Sequence, residues 1–310
     1  MNARAWWHDF ELEGAALRVR ATGVRVPLSP AVLSDFAHWM PYFLAVKSLE
    51  KTVVRDGPRI AFAPHTPRPW FLIWAAALLS GLRLASSRDE ADILFHFEDA
   101  THCAHPHGWT GPGINLDCAD ISKSRVAHAF ESVFDRPLAI DPEVFDGPFV
   151  DKSEINAAHD GRVHTRPCQR EPGRCYQRLI DTVGPDGLAE DLRCATVGGE
   201  IASVFVKRRP VARRFENHNA QVRLTMPEAA FSVGERAQIA AFCAQLRLEW
   251  GGLDVLRDRA SGDIWIVDAN KTDMGPPVSL PLDDKLKAIR RIAAALRRHC
   301  DALLQASRPA

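Results

Sequence analysis

Two glycines, Gly198-Gly199, separate strand-like runs at 192–197 and 201–206. Adjacent glycines reach the positive φ angles of a two-residue turn without a Cβ clash, so these runs pair as an antiparallel hairpin. A second hairpin follows at 252–256 and 263–267, joined by the polar turn Ala260-Ser261-Gly262. Between the two, Ser232-Val-Gly-Glu235 has the spacing of a capping box. It opens a helix whose core stripe is Ile239, Phe242, Cys243 and Leu246. The first hundred residues have a different rhythm. Residues 59–63 read as a strand, the Pro-rich stretch 64–69 turns the chain into a helix over 70–84, and 92–97 read as a buried strand. Strand, helix and strand suggest a parallel crossover unit and an α/β fold class. Upstream, Ser29-Pro30 opens a helix to about residue 48, with Val32, Leu33, Phe36, Met40, Phe43 and Leu44 as its stripe.

Residues 98–113 are dense in Gly, His and Pro and mark the domain boundary. With 310 residues, two domains are expected: an N-terminal α/β domain over 1–114 and a second over 115–310. The second domain holds a helix at 122–134, a strand at 147–152, a polar segment at 153–166 and a strand at 175–180. The final helix, about 283–305, places Leu286, Ile289, Ala293, Leu296, Cys300 and Leu303 on one face. That face suits a core or a homodimer contact.

Charge narrows the function classes. Lys plus Arg and Asp plus Glu both number 39, which excludes a protein devoted to coating nucleic acid or an anionic membrane. The longest apolar run, about 13 residues from 70 to 82, falls short of the ~20 that span a bilayer. The N-terminus carries acids early and has no apolar signal core, so a cytoplasmic location is expected. Seven cysteines without a C-x-x-C suit reduced thiols rather than a disulfide framework or zinc ribbon. His102-Cys-Ala-His-Pro-His107 offers imidazoles and a thiol, but crowds them into six residues with no second half nearby. A polar or substrate-contacting loop is the reading there. In the sequence no cysteine lies in a Cys/His catalytic context.

The most informative chemistry lies in the second hairpin. Asp254 alternates with Leu253 and Val255, and Asp268 and Asn270 share a face by the same period of two. Antiparallel pairing brings two carboxylates and an amide oxygen onto one wall. Hard oxygen donors of this kind suit Mg²⁺, which takes one or two carboxylates plus phosphates. The stretch from Lys207 to Arg214 adds five cations in eight positions, a basic patch that the zero net charge conceals. A solvated face is the plain alternative for such a run.

An acid on one strand followed by acid-x-Asn on the next resembles the metal end of the ATP-grasp superfamily. The nearest pattern is the ribosomal-protein glutamate ligase type of carboxylate–amine ligases. There the hairpin is followed by a Gly/Pro turn, here Met274-Gly-Pro-Pro277. Four further segments fall in the matching order: Asp120-Ile-Ser-Lys123, Phe149-Val-Asp-Lys152, Tyr176-Gln-Arg-Leu-Ile180, and Asp191-Leu-Arg193 with Lys207 after the glycine hairpin. The resemblance implies an ATP-grasp fold over 115–310, with a central subdomain at about 115–180 and a C-terminal subdomain at about 181–310, preceded by the small N-terminal domain. It implies ATP and Mg²⁺ as cofactors, and ligation of a carboxylate to an amine or other nucleophile through an acyl phosphate. Lys123, Lys152 and His159 would meet nucleotide phosphates. The hinge of Gln177, Leu179 and Ile180 would read adenine, and Asp191 is one candidate for the ribose beside Asp181 and Glu190. Arg193, Lys207 and Arg214 would face the acyl phosphate and substrate, and Asp254, Asp268 and Asn270 would hold Mg²⁺. Partners would be a small-molecule carboxylate and a nucleophile, with a peptide among the candidates, and neither membrane nor nucleic acid. A kinase acting on a hydroxyl, or a nucleotide-binding scaffold without turnover, are the alternatives. Two departures stand out: Asp268 replaces the usual Glu, and the loop 155–161 lacks the usual small-residue run before its glycine.

Overall fold

The computed structural model describes residues 6–20, 25–156, 158, 160–215 and 219–307. His159, expected near phosphate, lies outside the described residues. The chain begins with a three-stranded antiparallel sheet of β1 (Phe10–Glu13), β2 (Ala16–Val19) and β3 (Arg25–Pro27). Helix α1 (Pro30–Glu50) starts where expected. The Ser29 hydroxyl accepts from the Val32 amide and Pro30 occupies the first turn. Its buried face differs from the expected one. Tyr42 and Val46 are buried, whereas Leu33, Phe36 and Leu44 are exposed. The aromatic pair Trp39–Phe43 sets the rotation, because Trp39 stacks on Phe43 and Phe43 stacks on Trp74.

Next come β4 (Arg59–Pro64), α2 (Leu72–Leu79), β5 (Arg83–Leu84), β6 (Ile93–Phe97) and β7 (Gly113–Ile114). They build the expected parallel unit, a four-stranded sheet in the order β5-β4-β6-β7. Helix α2 is buried from Leu72 to Leu78 but stops short of residue 84. Gly81 adopts φ 76° and redirects the chain into β5, which pairs with β4.

After α3 (Lys123–Phe134), capped by Ser122, the strands β8 (Phe149–Ser153), β9 (Arg162–His164) and β10 (Arg174–Arg178) form an antiparallel sheet in the order β10-β8-β9. Strand β9 occupies part of the stretch read as a polar segment. The buried Asp151 holds it, accepting from Arg162 at 2.7 Å, from His164 at 3.0 Å and from Arg174.

The remaining elements are β11 (Leu188–Val197), β12 (Glu200–Pro210), β13 (Gln221–Thr225), α4 (Pro227–Ala230), α5 (Val233–Gln245), β14 (Trp250–Arg257), β15 (Ile264–Asn270) and α6 (Leu282–Ala306). Both predicted hairpins form, and the capping box of Ser232 and Glu235 is complete. The five strands make an antiparallel sheet in the order β13-β12-β11-β14-β15. One face packs on α3 and α5 through Leu192, Cys194, Val204, Val206, Leu253 and Val255. The other packs on α2 and α6 through Ala195, Val197, Phe205 and Trp250. The apolar stripe of α6 is therefore consumed in the chain's own core, with Ile289, Ala293, Leu296 and Cys300 buried. No described helix is long and apolar enough to cross a membrane.

Asn115 joins the parallel unit to the five-stranded sheet. It is buried at φ 59°. Its side-chain amide donates to the Trp250 carbonyl at 2.8 Å, and its oxygen accepts from the amides of Glu249 and Trp250.

Candidate active site

Along one face of the five-stranded sheet the side chains change character. On β11, Ala195 and Val197 are apolar, while Arg193 and Asp191, two and four residues before Ala195 on the same face, are charged. On β12, Phe205 gives way to Lys207 and Arg209, and on β14, Trp250 gives way to Asp254. The register then decides who meets whom. Arg193 lies opposite Asp254, Asp254 opposite Asp268, Asp191 opposite Lys207, and Gly252 opposite Asn270.

Two carboxylates directly opposed on neighbouring strands repel unless cations compensate them. Here Arg193 reaches Asp254 at 3.0 Å and Lys207 reaches it at 3.3 Å. Lys123, at the first position of α3 and buried, donates to Asp268 at 2.7 Å. Lys207 also meets Asp191 at 3.0 Å, as does Arg209. Burial disfavours the ionised form of Asp254, but Arg193 and Lys207 outweigh it and hold its carboxyl well below the usual carboxylate range. Burial, then the charge of Asp254, push Asp191 upward against the pull of Lys207 and Arg209. For Lys207, the pull of Asp191 and Asp254 outweighs burial and raises its pKa.

Lys152 stands on β8, in the smaller sheet. Its Nζ donates to the Gln177 side-chain oxygen at 2.9 Å, across the β8–β10 pairing. Burial pushes its pKa down, against the opposing attraction of Asp268. Lys152 and Lys123 thus bring two cations from outside the five-stranded sheet toward its acidic wall. The Nε2 of the buried Gln177 and the Oδ1 of Asp191 lack hydrogen-bond partners among the described residues. Such orphaned atoms call for a partner from outside the chain or from water.

The remaining predicted residues have contacts of their own. The Leu179 amide donates to the Pro148 carbonyl at 3.2 Å, and the Ile180 side chain is buried in the core under α3 and α5. Arg214 follows the end of β12, where burial lowers its pKa and Asp181 opposes that effect. Its carbonyl accepts from Arg209. Asn270 accepts from the amide and hydroxyl of Thr272.

Four contributors were not singled out from the sequence. Asp273 accepts from Arg193 at 2.6 Å, Arg209 grips Asp191, and Thr272 donates to Asp99 at 2.6 Å. The period of two placing Arg209 on the Lys207 face was a usable signal. Asp273 and Asp99 lie in loops and left no such signal. Gly252 makes the close approach possible: a Cβ there would collide with the Asp273 carboxylate and lie 2.8 Å from the Arg193 Nε.

The donor set fits a hard divalent cation. Asp254 and Asp268 offer carboxylate oxygens from directly opposed positions, and Asn270 offers a neutral oxygen two residues along. These three residues could hold such a cation.

No protein-family model matches the chain, and no curated protein sequence matches it. Among solved structures it is similar to the ATP-grasp ligase PsnB complexed with minimal precursor, at 13% identity and TM-score 0.48, over 81% of this chain and 99% of that one. It is similar to a RimK domain ATP-grasp protein from Sphaerobacter thermophilus DSM 20745, at 13% identity and TM-score 0.48, over 78% and 99% of the two chains. Similarity to PsnB with a phosphomimetic precursor variant, Mg and ADP is 16% identity at TM-score 0.39, spanning 64% of this chain and 62% of that one.

Proposed function

We propose that the chain is an ATP- and Mg²⁺-dependent ligase that joins a carboxylate to an amine or other nucleophile through an acyl phosphate. The observation that carries this reading is the cross-strand row Arg193–Asp254–Asp268, flanked by Lys123 and Lys207. Phosphoryl transfer asks a protein mainly to position charged groups in line and to neutralise developing charge. Asp254, Asp268 and Asn270 would hold Mg²⁺, which would supply positive charge against the phosphates. Lys123 and Lys152 would exchange their present acceptors, Asp268 and Gln177, for phosphate oxygens. Arg193 suits a carboxylate or acyl phosphate, because its planar fork binds oxyanions bidentately and Asp273 fixes its orientation. Lys207 lies beside it to neutralise the same charge. Arg214 is assigned to substrate on the resemblance alone. His159 and the hinge of Gln177, Leu179 and Ile180 are assigned to nucleotide, and Asp191 to ribose, on the resemblance of the ordered segments.

The test is ADP release with Mg²⁺, ATP and a panel of carboxylic acids and carboxylate-bearing peptides, with hydroxylamine as trapping nucleophile. Carboxylate-dependent ADP formation with a hydroxamate product is the expected result. A stable phosphorylated hydroxyl compound would replace ligation by kinase chemistry. Nucleotide binding without turnover across the panel would leave only a scaffold.

A further inference from the structure

Lys271, one residue beyond the acidic wall, is only 2% exposed. Its Nζ lies 2.8 Å from the Cys103 Sγ. Among the described residues this sulfur is the only hydrogen-bond or ion-pair partner of that ammonium. Buried ammonium groups need a carboxylate or several carbonyl oxygens, and a thiol sulfur is a weak acceptor. The separation is also inside the sum of the nitrogen and sulfur van der Waals radii. His96, 4% exposed, flanks the sulfur on another side. Its Nδ1 lies 4.0 Å from Cys103 Sγ, and its Nε2 lies 3.4 Å from Glu98. Burial, and then the charge of Lys271, hold the His96 pKa below its ordinary value, so the ring is a neutral proton acceptor near pH 7. Cys103 is partly exposed and within reach of a small oxidant.

His96, Glu98 and Cys103 are also ligand types for zinc, and their ligand atoms cluster within 4.8 Å. Two features oppose a metal. An ammonium in direct contact with the sulfur repels a divalent cation. The thiol and the carboxylate also approach opposite nitrogens of the imidazole.

We propose that Cys103 and Lys271 form an oxidative modification site, in which dioxygen supplies one oxygen atom to a covalent S–O–N bridge. The sulfur and nitrogen together lose two hydrogens, whether counted as thiol and amine or as thiolate and ammonium. S–O and O–N bonds form, the O–O bond breaks, and the second oxygen leaves as water with those two hydrogens. The protein pair gives up four electrons and dioxygen takes them. His96, steadied by Glu98, relays the proton to the departing oxygen. The bridge ties the 98–103 loop to the segment that follows Asn270, where Asp99 and Thr272 already share a hydrogen bond. It joins positions 168 residues apart, so it restricts the unfolded chain strongly.

The experiment is peptide mass spectrometry of the full chain, purified in air or under argon with dithiothreitol. Its readout is a mass and does not depend on nucleotide turnover. The expected result in air is a peptide pair joining Cys103 and Lys271, heavier than the sum of its parts by one oxygen and lighter by two hydrogens. Dithiothreitol should release it, and Cys103→Ser and Lys271→Arg should lack it. Recovery of aerated wild-type protein with Lys271 unmodified, and Cys103 as free thiol or sulfinic acid only, would overturn the proposal. So would stoichiometric zinc that is retained by wild type and lost in Cys103→Ser. The comparison of aerated and argon-protected wild type decides the matter even if a variant fails to fold.

Discussion

Arg193 and Asp254 are cross-strand partners on β11 and β14, joined at 3.0 Å, and the same guanidinium grips Asp273 on its other side. A cation clamped by two acids in a largely buried position holds one orientation. It also makes each acid responsible for more than its own contact.

Asp254→Asn therefore has two effects. Arg193 and Lys207 both lose a carboxylate, but each keeps another, Asp273 at 2.6 Å and Asp191 at 3.0 Å, so the cost stays below the ~3–5 kcal/mol of an uncompensated buried charge. Asp268→Asn costs more, because it leaves the buried Lys123 with only the neutral Asn156 side chain at 3.3 Å. Both variants are expected to lose Mg²⁺-dependent turnover, with Asp268→Asn showing the larger fall in urea midpoint. Equal losses of stability in the two would contradict the asymmetry.

Lys152→Met is expected to weaken nucleotide binding at least tenfold and to leave stability unchanged or raised by about 1 kcal/mol. The ammonium is held by a neutral amide and burial disfavours its charge, so removing it relieves a desolvation cost. Calorimetric titration with ATP and a thermal melt measure the two arms separately. A large drop in melting temperature would show that Lys152 supports the fold instead.

Asn115→Ala is expected to destabilise by about 2–4 kcal/mol, since it strands buried backbone groups of Glu249 and Trp250 and keeps a left-handed φ without an amide to support it. Asn115→Gly relieves only the backbone part. Denaturant titration of both variants should rank them wild type, Gly, Ala.

Glu235 supplies the pH dependence. Burial raises its pKa, but Arg257 and the Ser232 amide outweigh burial, so the folded value lies below the ordinary 4.5. The stabilisation is present above about pH 4.5 and disappears as pH falls through the lower folded value. Glu235→Gln keeps the reach to Ser232 but loses the ion pair to Arg257 at 2.6 Å, at a cost of about 1 kcal/mol at pH 7. That difference should shrink toward zero in acid. A constant difference from pH 7 to pH 2 would exclude the ion pair as its source.

Much of the site's wall was legible before any fold was known. A strand period of two places Asp268 and Asn270 on one face, and a turn-flanked hairpin brings Asp254 alongside. The capping box at Ser232 and the N-cap at Ser29 were equally local, because each needs only residues three apart. The buried face of α1 was not legible. Its choice between Leu33–Phe36–Leu44 and Tyr42–Val46 depends on where Trp74 stands, and that is set by α2.

The sequence by itself determined which side of each strand a charge would take, where the hairpins turn, and that one wall would carry oxygen donors opposite cations. Only the tertiary structure decided the partners. Arg193 meets Asp273 across 80 positions and Lys271 meets Cys103 across 168. Local backbone geometry fixes the direction of a side chain, whereas contacts at such separations exist only after sheets and helices have closed on a shared core. The charged half of the β11–β12–β14 face is likewise a tertiary outcome: cover from α2 and α6 ends at Phe205 and Trp250, and beyond it the charges must pair with one another.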